Sequence, residues 1–293
     1  MKKISIIIRT LNEAKYLPEL LEGIKQQLLP EISVETIIVD SGSKDETINI
    51  AKNHNCKIVH IAKSEFSFGK SLNIGCEAAN GEILVFVSGH CVPVDINWIK
   101  NLINPILKGK ACYVYGRQVG RDTTMFSEER VFSKFFPEDG RYNSPSYFCN
   151  NANSAIKKTI WLKYKFNEEV TGLEDLELGK RLTENSCKIE YSNESCVYHI
   201  HNESWIKIKN RYERETLAFL NFEPSMKLSF FEVIKGFLLS LLDDLSSEGF
   251  KLKILHKIMS ILYYRSAQYV GYWLGNKRGK NITAKTKNRF YYP

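Results

Sequence analysis

Short apolar runs alternate with segments of helical period along the first two hundred residues. Residues 4–8 read Ile-Ser-Ile-Ile-Ile, 36–39 Thr-Ile-Ile-Val and 57–61 Lys-Ile-Val-His-Ile. The strongest run is Ile83–Val87, five apolar residues set between Gly81 and Gly89. Such a run is the pattern of a strand buried on both faces. Between the first two runs, Leu17, Leu20, Leu21, Ile24 and Leu28 mark one face of a helix reaching to about Leu28. Ser43, with Glu46 three residues on, predicts a capping box for the next helix. A loop over 64–69 leads to a helix over 70–79. Strands and helices alternating at this spacing predict a mostly parallel, three-layer α/β sheet.

The pattern continues with a helix near 96–107 and a strand over Cys112–Tyr115, followed by Gly116, Arg117 and Gln118. Residues 120–146 are polar and aromatic, with Phe132, Phe135 and Phe136, and read either as an insertion that shapes an acceptor site or lid or as plain packing. Phe148–Ile156 partly alternates. Leu173, Leu176, Leu178 and Leu182 mark a further helix, and Ser195–Ile200 a late strand. From Trp205 onward the period is helical and strongly apolar, interrupted by Asp243-Asp244 and by Lys251 and Lys253. The expected organisation is one α/β domain over 1–205 and a helical extension over 206–293.

The net charge of +8 changes this picture at one end. The tail from Asn276 holds Lys277, Arg278, Lys280, Lys285, Lys287 and Arg289 and no acid. A basic tail behind apolar helices suits an anionic membrane surface, and equally a solvated, disordered end. The helices themselves would bury their faces in the core, in a homodimer or in the interface of a membrane. No aromatic platform or nucleic-acid fold accompanies the charge, so nucleic acid is not an expected partner. No apolar run approaches the roughly 18 residues of a spanning helix. Residues 1–8 lack the pattern of a signal peptide. The seven scattered cysteines show no C-x-x-C spacing. The expected setting is cytoplasmic, with reduced thiols, or peripheral on the inner face of the cell membrane.

Polar side chains gather where the strands end. Thr10, Asn12 and Glu13 follow the first strand, Asp40, Ser41 and Asp45 the second, and Ser88 and His90 the buried run. In open α/β sheets ligands bind outside the carboxyl ends of the strands, so three clusters at one rim point to a polar ligand. Neither G-x-G-x-x-G nor G-x-x-x-x-G-K-[ST] occurs, which excludes a dinucleotide dehydrogenase and a P-loop NTPase. Glu174 and Asp175 open a helix, where the dipole favours carboxylates in any case. His199 and His201 share one face of a strand and would suit a metal or a phosphate.

Taken together, Thr10-Leu11-Asn12-Glu13 and Val39-Asp40-Ser41-Gly42-Ser43-Lys44-Asp45-Glu46-Thr47 resemble the family 2 glycosyltransferases of the GT-A fold. Gly69–Gly75, Gly81-Glu82-Ile83 and Thr171–Asp175 continue the resemblance over roughly residues 3–205. It implies a GT-A-like α/β/α mixed sheet and inverting transfer of a sugar from a nucleotide-sugar to a hydroxyl of a growing surface glycan, of capsule or lipopolysaccharide type. The acceptor would be a glycan or a lipid-linked glycan. Thr10, Asn12, Glu13, Asp40, Ser41 and Asp45 would take the base and ribose. Asp40 would accept from a pyrimidine N–H, which favours a UDP- or dTDP-linked donor. Lys70, Asn73, Ser88 and His90 would lie at the diphosphate, and Arg117, Asn150 and Asn151 would line the sugar and acceptor pocket, where Asn can both donate and accept. Asp175 would be the general base, kept ionised by the helix N-terminus, with Glu174 orienting substrate.

One departure stands out. Ser88-Gly89-His90 occupies the place of the family's Asp-x-Asp, so metal dependence is open. His90 would ligate Mg²⁺ or Mn²⁺ with His201, or meet the phosphate as imidazolium, or leave the task to Lys70 and Arg117. The reading leans toward a retained, weakly bound metal. A sugar nucleotidyltransferase is the first rival, but Thr10–Glu13 offers no Gly-rich basic loop. A non-catalytic nucleotide-binding or assembly module is the second.

Overall fold

The protein is described here by a computed structural model covering residues 2–141, 145–247, 254–278 and 282–292. Lys251, Lys253 and Lys280, counted above among the basic residues, lie outside the described residues. The chain divides into two compact units. The first comprises 1–121, 133–169 and 174–200, and the second 122–132, 170–173 and 201–293.

The first unit is built on eight strands. They are β1 (Lys2–Thr10), β2 (Ile32–Asp40), β3 (Lys57–His60), β4 (Ile83–Ser88), β5 (Cys91–Pro93), β6 (Tyr113–Val119), β7 (Asn153–Lys157) and β8 (Ile189–His199). They form one sheet in the order β3-β2-β1-β4-β7-β6-β8-β5. Its helices are α1 (Leu17–Lys25), α2 (Thr47–Asn53), α3 (Phe68–Ala78) and α4 (Trp98–Leu107). After α5 (Phe126–Phe135), which spans the boundary of the two units, come α6 (Lys158–Tyr164) and α7 (Glu174–Glu184).

Alternation along β1 explains the layers. Ile4, Ile6 and Ile8 join Leu17, Leu20 and Leu21 of α1 and Trp98, Ile99 and Leu102 of α4 in one core. Ile7 points to the other face, where α3 comes so close that a Cβ on Gly75 would sit 2.5 Å from Ile7 Cγ2. Helices therefore cover both faces, as a strand without a polar face requires. The parallel set β3-β2-β1-β4 follows the expected alternation. Beyond it the sheet is mixed, because β7 runs antiparallel to both β4 and β6. β6 ends and β7 begins on the same rim, so the chain between them returns without the crossover that a parallel neighbour needs.

Local boundaries shift in three places. α1 ends at Lys25, short of Leu28. α3 starts at Phe68, with the Ser67 hydroxyl accepting the Lys70 N–H. Ser43 caps no helix: its hydroxyl turns back to Asp40, and Glu46 takes the cap position of α2.

The second unit contains α8 (Trp205–Phe222), α9 (Phe230–Ser246), α10 (Ile254–Lys277) and α11 (Ala284–Tyr291). α8 and α10 meet through Ile208, Tyr212, Tyr264 and Ala267. Gly271 allows the approach, since a Cβ there would lie 2.6 Å from Lys209 O. Asp244, read from sequence as an interruption of α9, is buried and takes two hydrogen bonds from Arg265 of α10, both at 2.7 Å. The break in apolarity is thus a bidentate clasp. None of the helices, among the described residues, is long and apolar enough to cross a membrane.

The basic end is not a free tail in its described part. Arg278 Nε and Arg289 Nη2 donate to Glu213 Oε1 at 2.9 and 2.7 Å, and Glu213 is wholly buried. Lys209 stands 3.7 Å from the same carboxylate. Removing one charge from a buried cluster leaves its partners uncompensated, at a cost of about 3 kcal/mol or more. Glu213→Gln is therefore expected to lower stability by about that amount in urea denaturation. A solvated tail would leave the midpoint unchanged.

Candidate active site

Strand register sets the rim. Thr10 lies beside Asp40, and Arg9 beside Ser88, so the ends of β1, β2 and β4 are level. Asp40 is buried, and its two oxygens accept from the Thr10 hydroxyl, the Gly42 and Ser43 N–H groups and the Ser43 hydroxyl. Four donors fill a carboxylate, so a base N–H would reach Asp40 only by displacing one of them. Asn12, at φ 58°, accepts the Lys44 N–H and donates its own N–H to Ser43. Asp45 accepts from the Ala14 N–H and from Thr47, and Ser41 donates to Thr10 O. These residues knit the two loops into one rigid edge.

His90 and His199 meet at the next position along the rim. The β5–β8 pairing sets Cys91 beside His199, which brings the two imidazoles together. Their Nε2 atoms are 3.2 Å apart and the rings stack. A chain of hydrogen bonds fixes the tautomers. The Ala152 N–H donates to Asn150 Oδ1, so that oxygen is an acceptor. Gln118 Nε2 donates to the same oxygen, which leaves Gln118 Oε1 to face His199. His199 Nδ1 therefore carries a proton and donates to Gln118 at 2.7 Å. On the other side His90 Nδ1 donates to Glu13 Oε1 at 3.0 Å. With both Nδ1 atoms protonated, two Nε2 lone pairs would face each other in the neutral state. The two Nε2 atoms are thus acceptors 3.2 Å apart, each on a ring oriented by a polar partner at Nδ1. Gly89 is required here, since a Cβ would lie 2.8 Å from Glu13 Cγ.

A divalent ion fits this donor set through its nitrogens, which suit a transition ion better than Mg²⁺. His201, named from sequence as the partner of His90, belongs to the second unit. There its Nδ1 lies 2.8 Å from Glu128 Oε1. Burial pushes the Glu128 carboxyl up, but the charges of Arg211 and His201 outweigh it and hold it at about 2.

The carboxylates Glu174 and Asp175 have opposite surroundings. Glu174 accepts from Arg9 Nη1 at 3.0 Å and is buried. Asp175 is also buried, and its oxygens accept the N–H groups of Asn151 and Leu176 at 2.8 Å. Burial, and then the charge of Glu174, raise Asp175 to about 7. The sequence led us to expect an ordinary ionised Asp at a helix terminus; desolvation reverses the sign of the shift.

Five residues expected at the ligand have partners within the protein. Asn73 Nδ2 donates to Phe166 O and Glu168, and its Oδ1 accepts from Trp161 Nε1 and the Phe166 N–H. That exhausts the amide, which is a strut from α3 to the 166–168 segment. Lys70 pairs with Glu65 at 3.2 Å. Arg117 pairs with Glu138 at 3.0 Å, whereas its neighbour Gln118 faces His199. Asn150 supports Gln118 from behind the histidines. Asn151 accepts from Tyr113 and Ser154, and its Nδ2 is a buried donor without a partner among the described residues. Arg9 and Gln118 were missed from sequence, although Arg9 stands at the end of an otherwise apolar strand.

Comparison with known proteins decides the family. A sequence profile described as Glycosyl transferase family 2 matches residues 5–164. The chain belongs to this family. A curated relative, the O-antigen chain rhamnosyltransferase RfbN of Salmonella typhimurium, is 27% identical over 68% of this chain and 67% of its own length. The poly(ribitol-phosphate) beta-N-acetylglucosaminyltransferase TarS of Staphylococcus aureus is 33% identical over 30% of this chain, a match that takes in only 16% of TarS. Among solved structures, the mannosyltransferase PcManGT of Pyrobaculum calidifontis with GDP-Man and Mn²⁺ superposes with a TM-score of 0.63 at 15% identity. That match covers 94% of this chain and 85% of that one. S. aureus TarS 1–349 with UDP gives 0.56 at 20% identity over 94% and 90%. The fold is GT-A-like. Within this glycosyltransferase the matched segment carries the knitted loops, α3 and the Ser88–His90 turn.

If Asn73 is a strut, Asn73→Ala orphans Trp161 Nε1 and the Phe166 backbone, at about 1–3 kcal/mol per group. The expected result is a lower denaturation midpoint with unchanged affinity for a nucleoside diphosphate. Lost affinity at unchanged stability would return Asn73 to the ligand.

Proposed function

We propose that this glycosyltransferase moves a sugar, with inversion, from a UDP- or dTDP-linked donor to a hydroxyl of a growing surface glycan. The likeness to an O-antigen chain rhamnosyltransferase over two thirds of both chains supports a surface glycan as acceptor. The loops of Thr10–Asp45 take the base and ribose. The turn Ser88–His90 takes the diphosphate, with Asn151 Nδ2 left as a donor toward the sugar.

Asp175 carries this reading. A general base works best with a pKa near the working pH, and its carboxyl is raised to about 7 by burial and by Glu174. Asp175 removes the proton of the acceptor hydroxyl as that oxygen attacks the anomeric carbon, opposite the departing diphosphate. Glu174, held by Arg9, is a positioning residue. Charge develops on the departing nucleoside diphosphate and needs a cation beside it. His90 and His199 would hold a divalent ion, which when bound supplies that charge; without one, the protonated pair supplies it.

Asp175→Asn is expected to lower transfer by about 10²-fold or more while donor affinity is kept. Wild-type kcat should fall below pH 7, as the base becomes protonated. The sign of the stability effect follows from the same shift. The folded carboxyl holds its proton more tightly than an unfolded one of 3.8, so stability is lost as pH rises from about 4 through about 7. Asp175→Asn removes that loss, and its thermal midpoint should exceed the wild type above pH 7 and match it near pH 4. An active Asn variant would sink the proposal.

The cation is tested separately. Saturating UDP at 100 times its Kd stabilises by about 2.7 kcal/mol. Adding Mn²⁺ should enlarge the UDP-induced thermal shift in the wild type, and His199→Ala should erase that increment alone. An increment that survives the substitution places the ion elsewhere.

A further inference from the structure

We infer that the hairpin of α9 and α10 lies on an anionic lipid bilayer. Of the seventeen residues of α9, only Val233 and Asp244 are buried. Phe231, Ile234, Leu238, Leu242 and Leu245 recur at three- and four-residue spacing and so form one stripe, and all are exposed. Phe231 is 80% exposed and Leu242 63%. On α10, Met259, Leu262 and Val270 add to the uncovered apolar surface. This surface is held in place from within. Asp244 clasps Arg265, the Ser240 and Tyr269 hydroxyls lie 2.7 Å apart, and Phe230 packs edge-on against Trp273. An apolar face of this extent marks an interface.

Charge selects the occupant. Residues 201–293 contain sixteen Lys and Arg against eight Asp and Glu, while residues 1–200 contain twenty-five of each. The whole net charge of +8 therefore resides in the segment that carries the apolar face. Lys235 lies inside the stripe and is exposed, as are Lys257 on α10 and Lys227 ahead of α9. The acids beside the stripe are already engaged, Glu232 in the capping box with Ser229 and Asp243 with Arg130 at 2.8 Å. A second copy would bring like charge to this face, whereas anionic headgroups bring the opposite one. An apolar stripe flanked by lysines is the pattern of a helix seated at the headgroup boundary. The inference does not depend on the chemistry assigned to Asp175. With a lipid-carried glycan as acceptor, it would place the enzyme on the surface where that acceptor resides.

The test is co-sedimentation of the full chain with vesicles, without donor sugar. Binding to vesicles containing phosphatidylglycerol is expected to exceed binding to pure phosphatidylcholine by about tenfold or more and to fall as salt rises. The triple variant Phe231→Ser, Leu238→Ser, Leu242→Ser should lose that binding by about tenfold or more. Its circular dichroism and its thermal shift with UDP should remain those of the wild type, because the three side chains are exposed. Lys235→Glu should weaken binding to anionic vesicles alone. Equal binding of the wild type and the triple variant would overturn the inference, as would no binding by the wild type. A wild-type dimer in lipid-free solution that the triple variant dissociates would also overturn it, by assigning the face to a second copy.

Discussion

The polarity of one hydrogen-bond chain governs the candidate site. It begins at a backbone amide, Ala152 N–H, whose direction cannot be reversed. It passes through Asn150 and Gln118 to His199, and Glu13 imposes the same order on His90 from the opposite side. Each link joins a different part of the sheet: the turn before β7, then β6, β8 and the ends of β4 and β1. Sheet order and side-chain chemistry are therefore coupled. The antiparallel entry of β7 puts Asn150 behind Gln118, and the β5–β8 pairing puts His199 against His90. A purely parallel sheet would not bring these residues to one place. The electrostatic result is a site for one positive charge made without any cationic residue of fixed charge.

The two adjacent carboxylates show the same division by environment. Glu174 is hydrogen-bonded by the Arg9 guanidinium, while Asp175 accepts two backbone N–H groups and feels burial and the repulsion of its neighbour more than the charge of Arg9. Neighbouring groups whose surroundings push their proton affinities apart are how one fold assigns separate tasks to like residues. Arg9 achieves this from β1, so a single strand serves both ends of the site. Its carboxyl end supplies Thr10 and Glu13 to the rim and its penultimate residue steadies Glu174.

Much of this was readable from residue order. Apolar runs fix buried strands, and the polar clusters after them fall on one rim because parallel neighbours end level. Ile83–Val87 is the clearest case, buried throughout and ending at Ser88 as expected. What could not be read was which polar atoms turn inward. Asn73 carries the residue type of a ligand contact, but its amide is filled by partners 88 to 95 positions away, and Asp40 takes one of its four donors from Thr10, 30 positions back. Linear spacing holds no record of such pairs. The shift of Asp175 was missed for a related reason. A helix terminus is a local feature that sequence displays, while burial is a property of the assembled core and here prevails. The bidentate clasp of Asp244 on Arg265 was likewise hidden, because a charge inside an apolar period looks like an interruption until its partner is known.

In the proposed reaction, the partners of the basic side chains limit how a departing diphosphate would be met. Lys70 and Arg117 were the basic candidates, and Arg9 is the further one that the structure adds. Each is engaged by a carboxylate, Lys70 by Glu65, Arg117 by Glu138 and Arg9 by Glu174. Recruiting any of them would strip an acid of its partner, and for Arg9 that acid is buried, where an uncompensated charge is costly. The histidine pair has the opposite balance. In the neutral state each ring presents an Nε2 lone pair that a cation can take up. If Ser88-Gly89-His90 stands where the family resemblance puts an acidic motif, the position would still have a means of holding positive charge. Such an exchange would put a nitrogen site in place of a carboxylate site, which suits hard ions. In the proposed reaction, His90 and His199 rather than the basic side chains would then meet the charge of the leaving group.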